Sequence, residues 1–123
     1  MGADIWLGKR GESLGYFKDP YTGAITLNAL RLSYWQDLTP KLLRGEEFPL
    51  ELNDWLLGEL RARVTEYLGS PKAAEYAREY LEEARINSHS AEFWIEEWRL
   101  HSGILIELLE RSSRLGIPLT MSL

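Results

Sequence analysis

The sequence predicts one α+β domain, mostly helical, with an N-terminal β-hairpin packed on a bundle of about four helices. Three observations carry that expectation. The opening residues hold two short runs of strand formers around a glycine-bearing turn, apolar residues then recur at helical spacing, and the last seven residues alternate apolar and polar. At 123 residues and 14.2 kDa the chain fits a single domain. Its 45% apolar content, with five Trp, six Tyr and three Phe, can supply the core.

The hairpin is assigned to residues 1–21. Asp4-Ile5-Trp6-Leu7 and Ser13-Leu14-Gly15-Tyr16-Phe17 flank the polar turn Gly8-Lys9-Arg10-Gly11-Glu12. Pro20 and Gly23 then break the chain. Leu27, Leu30, Tyr34 and Leu38 share one side of a helix expected over residues 24–38, stopped by Thr39-Pro40. Leu52, Leu56, Leu60, Val64 and Tyr67 mark a second helix over 51–68, closed by Gly69. Ser70-Pro71 reads as the start of a third, over 71–86, with Ala73, Ala77 and Ala84 beside Tyr76 and Tyr80.

The strongest helical signal is the last. Ser90 is a suitable cap, and Gly116-Ile117-Pro118 is a glycine stop followed by an apolar residue and a proline. Between them Trp94, Trp98, His101, Leu105, Leu108 and Leu109 gather on one side, and Glu92, Glu96, Arg99, Glu107, Glu110 and Arg114 on the other. Glu107 with Arg111, and Glu110 with Arg114, have the favourable i,i+4 polarity. Twenty-five helical residues would run about 37 Å, enough to form a spine. The tail from Ile117 to Leu123 has a strand pattern and is expected to add an edge strand to the hairpin.

Composition narrows the functional classes. The absence of Cys removes disulfides, thiolate nucleophiles and cysteine-based metal sites, and favours a cytoplasmic location. The first residues lack the basic start and apolar run of a signal peptide, and no stretch approaches the roughly 20 apolar residues that span a bilayer. The net charge of −5 is uneven: residues 1–45 hold six Lys or Arg against four acids, residues 46–123 eight against fifteen. That balance disfavours nucleic acid as a partner.

Catalytic signals are weak. Glu97 and His101 stand at i,i+4 and could be half of a carboxylate–imidazole metal site, but no second motif completes it, and a buried, hydrogen-bonded histidine is the preferred reading. Ser88-His89-Ser90 sets hydroxyls beside an imidazole, yet Ser90 is better explained as a cap. No nucleophile elbow, phosphate loop or dinucleotide fingerprint is present, and no cofactor is expected. Glu75, Glu79, Glu82 and Glu83 form an acidic helical face, interrupted by Arg78 and Arg85, that reads as solvated surface first and as a docking surface second.

The N-terminal third is unusual in its aromatics. Trp6, Tyr16, Phe17, Tyr21, Tyr34 and Trp35 fall within thirty residues, with Asp19 and Arg31 among them. Such a cluster can stack on a ligand or grip a partner's side chain, and it can equally be core. Gly15-Tyr16-Phe17-Lys18-Asp19-Pro20-Tyr21, followed by Leu32-Ser33-Tyr34-Trp35, resembles a pattern of small uncharacterised bacterial and phage proteins. Those proteins open with Met-Gly-(Ala/Val)-Asp and carry Tyr-Phe-Arg-Asp-Ser-Tyr-Asn before Leu-Gly-Leu-Ser-(Tyr/Trp)-Trp. The resemblance covers residues 1–37 and departs at Lys18, Pro20, Thr22 and Arg31. It implies a phage or mobile-element setting and no particular activity.

The reading that follows is a small acidic, non-enzymatic interaction protein that binds a host protein. The alternative is a small-molecule or nucleotide-binding protein using the aromatic cluster, and a metal-dependent or hydrolytic enzyme ranks below both. A homodimer is compatible with either.

Overall fold

The computed structural model describes residues 3–9, 14–19, 29–30 and 47–122. Strands β1 (Ala3–Leu7) and β2 (Tyr16–Asp19) pair antiparallel, with Ile5 opposite Phe17 and Trp6 opposite Tyr16. A two-residue strand β3 (Glu47–Phe48) leads through a short 3-10 turn, Leu50–Leu52, into helix α1 (Asn53–Arg63). Its last turn widens into a π segment, Val64–Leu68. Helices α2 (Ala73–Glu83) and α3 (Ala91–Leu115) follow, and β4 (Leu119–Ser122) ends the fold.

The described residues thus form three helices and a four-stranded antiparallel sheet in the order β2-β1-β4-β3. Two expectations are corrected here. The tail is a strand, but β4 lies inside the sheet, paired to β1 on one side and β3 on the other, and is not an edge. The bundle of about four helices is three among the described residues. Of the helix expected over 24–38, only Ala29, which is helical, and Leu30, a turn residue, are described; the rest lies outside the described residues.

Cap chemistry explains where the helices begin and end. The Ser90 hydroxyl accepts from the Phe93 amide at 3.2 Å, and Gly116 adopts the left-handed conformation at φ 66° that ends α3. Helix α2 ends without a glycine. Arg85 takes the left-handed region at φ 57°, and Ile86 N–H returns to Leu81 C=O at 2.8 Å. This stop leaves α2 three residues short of the expected Ile86 boundary.

Strand alternation sends Ile5, Leu7, Phe17, Leu119 and Met121 inward, each at most 3% exposed. They pack with the apolar side of α3, where Trp94, Trp98, Leu105 and Leu109 are buried. The sheet rests close on the helix at Gly15, where a Cβ would fall 2.8 Å from Leu108 Cδ2. Asn53 locks the far end: its amide donates to Ser112 Oγ at 3.0 Å and Ser113 Oγ at 3.1 Å, and Ser112 Oγ donates to Ile117 C=O at 2.6 Å. That chain of bonds joins the start of α1, the end of α3 and the turn into β4.

Candidate functional site

The acidic residues singled out in the sequence sit on α2, and all four are exposed. At 100° per residue Glu75, Glu79 and Glu82 fall within about 60° of arc, and Glu83 flanks them. Several carboxylates elsewhere in the fold have partners. Glu59 pairs with Arg63 at 3.1 Å, Glu96 with Arg99 at 3.0 Å, and Glu107 with Arg111 at 2.9 Å. Glu110 meets Arg61 across the helices, in place of the Arg114 expected from sequence. By contrast Glu75, Glu79 and Glu82 have no ion pair among the described residues. A like-charge i,i+4 pair such as Glu75 and Glu79 costs a helix roughly 0.2–0.5 kcal/mol.

Beside this ridge lies an open depression of about 210 Å³, lined by Lys72, Glu75, Tyr76 and Glu79. Tyr76 is held in place there. Its ring stacks on Tyr67 with centroids 4.4 Å apart and planes 17° from parallel, and its hydroxyl donates to Ala29 C=O. The depression therefore combines two carboxylates, an ammonium and a fixed aromatic wall. The acids were legible in the sequence as a candidate surface, whereas Lys72 and Tyr76 were not. Helical phase places Lys72 three residues before Glu75, which was the available signal.

The aromatic cluster divides. Trp6 and Tyr16 share the outer face of the sheet, ring centroids 5.6 Å apart with planes tilted 35°. Tyr16 Oη donates to Asp4 Oδ1. This bond, with burial and the adjacent negative charge, pushes the Tyr16 hydroxyl up to about 12. Phe17 does not join them. It points the other way, is 2% exposed, and meets His101 edge-on at 6.0 Å, which makes it a core residue and not part of an open site. The register sets Lys18 opposite Asp4 and Asp19 opposite Ala3. Tyr21, Arg31, Tyr34 and Trp35 lie outside the described residues.

Neither histidine is joined to a catalytic partner set by the contacts seen among the described residues. His101 is buried beneath β2, its Nε2 3.6 Å from Glu97 Oε2, too far for a hydrogen bond. No group of three or more His, Asp or Glu able to hold a metal occurs among the described residues. His89 is exposed and stacked on Phe93 at 3.9 Å, with Nδ1 3.2 Å from Ser88 Oγ, while Ser90 is engaged as the α3 cap. No described helix is long and apolar enough to cross a membrane.

Comparison with protein-family profiles, curated proteins and solved structures gives no match to this chain. The functional reading rests on the geometry above.

Proposed function

We propose that the chain is a small acidic, non-enzymatic interaction protein that binds a protein partner through the exposed ridge of α2. The observation that carries this reading is the exposed set Glu75, Glu79 and Glu82 on one arc of α2, which forms no ion pair among the described residues. A basic partner surface would relieve the repulsion along the ridge, and electrostatic complementarity would set its orientation and speed its approach. The resemblance of residues 1–37 supports a phage or mobile-element setting, with a host protein as the partner. A cytoplasmic location follows from the same reading.

Charge reversal tests it. Glu75→Lys with Glu79→Lys should leave the circular dichroism and melting curve close to wild type, because both side chains are exposed. Partner binding should weaken roughly tenfold or more and lose most of its salt dependence. Unchanged binding in a folded double variant would remove α2 from the interface.

A second reading, a small-molecule or nucleotide site on the sheet, is favoured by the Trp6–Tyr16 ring pair. A ligand that binds only the folded form must raise the melting temperature. A metabolite panel that produces no shift at saturating concentration would exclude it.

A further inference from the structure

Helix α3 turns one side away from the core along its whole length, and the charges on that side are self-complementary. We infer that this side is a docking surface for a second copy of the chain, laid antiparallel on α3 with the twofold axis at Gly103. The contact uses none of the α2 carboxylates and stands apart from the role proposed for them.

Glu92, Glu96, Gly103, Glu107, Glu110 and Arg114 fall within about 60° of arc, and all are exposed. Glu96 is held by Arg99, Glu107 by Arg111 and Glu110 by Arg61. Glu92 and Arg114 form no ion pair among the described residues. They stand at opposite ends of the helix, Glu92 eleven residues before Gly103 and Arg114 eleven after it. A twofold axis at Gly103 therefore brings Glu92 of each copy to Arg114 of the other, and both unmatched charges are satisfied twice. A parallel pairing would set carboxylate on carboxylate and guanidinium on guanidinium. The antiparallel one also opposes the two helix dipoles. Its one like-charge meeting, Glu96 with Glu110 of the second copy, joins carboxylates that each already hold a guanidinium.

The centre of this side is open and apolar. A Cβ added at Gly103 would meet nothing within 4 Å, so a second helix can approach the backbone there. Beside it Leu100 is 58% exposed, and half-buried Ile104 follows one turn on. The twofold brings Leu100 beside Ile104 of the second copy, giving an apolar centre within a charged rim. A helix about 37 Å long and about 10 Å wide covers roughly 400 Å² of each copy, half of what a standard stable interface buries. The association is accordingly weak, reversible and sensitive to salt.

Sedimentation velocity of the full chain at low salt tests it, over about 10 µM to about 1 mM. The expected result is a monomer at the low end and a growing dimer fraction toward the high end. Gly103→Arg should weaken association tenfold or more, while the open space at Gly103 leaves the monomer folded. Glu92→Arg should weaken it about fivefold, and adding Arg114→Glu should restore it. Because the chain has no cysteine, Gly103→Cys supplies a single thiol, which should oxidise to a disulfide-linked dimer. Glu79→Cys on α2 should not. A monomer at every concentration, a dimer that Gly103→Arg leaves intact, or a loss in Glu92→Arg that the double swap fails to restore would overturn the surface.

Discussion

Leu119→Ala measures how firmly the tail belongs to the fold. Leu119 is fully buried in β4, with Leu7 of β1 opposite it on one side and Phe48 of β3 on the other, both also buried. Removing three carbons forfeits about 2.4 kcal/mol of transfer free energy at ~0.8 kcal/mol each. A residual void on the order of 50 Å³ adds about 1 kcal/mol. The expected loss is therefore about 3.5 kcal/mol, a large share of the ~5–15 kcal/mol that holds a domain together. For a chain of this size that is a fall in Tm of roughly 10–20 °C. Urea unfolding followed by tryptophan fluorescence should show a lower midpoint with the slope unchanged. Deleting residues 117–123 should cost more still, because β3 loses its strand partner and Ser112 loses its acceptor at Ile117. A loss below about 1 kcal/mol for Leu119→Ala would refute the interior placement of β4.

Arg85→Gly should stabilise the protein by about 1 kcal/mol, since glycine holds the left-handed conformation that arginine holds under strain; an unchanged or lower midpoint would count against that α2 stop. Ser90→Ala should cost about 1 kcal/mol through the lost bond to the Phe93 amide, readable in the same urea experiment. The Tyr16 hydroxyl should ionise near 12, later than an ordinary tyrosine. Because folding raises this value from 10.0, the stabilisation from the Asp4 bond is full below pH 10 and fades as pH rises toward 12. Phenolate absorbance across that window should lag in wild type, and Asp4→Asn should abolish the lag.

Several parts of this fold were legible because local chemistry decides them. Ser90 and Gly116 bound α3 at the expected residues, since one caps free amides and the other tolerates φ 66°. The tail's alternation identified a strand and its buried face. Its pairing with the hairpin was expected and is seen with β1, but its second neighbour β3 was not legible, because a period of two gives faces and not pairing order. The end of α2 was hidden by Arg85, a residue that rarely signals a left-handed stop. Glu110 chose Arg61 over Arg114 because α1 brings a guanidinium across the helix boundary, a tertiary fact with no local trace. The same holds for the bond between Tyr16 and Asp4. Asp4 was read as a strand residue, and only the hairpin register brings its carboxylate diagonally to Tyr16. Phe17 entered the aromatic cluster by sequence proximity, whereas strand alternation turns it into the core.

The central claim is that the α2 carboxylates meet a basic protein surface. Its most direct test compares wild-type and Glu75→Lys/Glu79→Lys baits in co-purification from the native source, with bound protein quantified across a salt series. The account predicts a partner that the wild type retains at low salt and sheds as salt rises, and that the double variant fails to retain at any salt. Equal retention of that partner by both folded baits, with the same salt response, would contradict it.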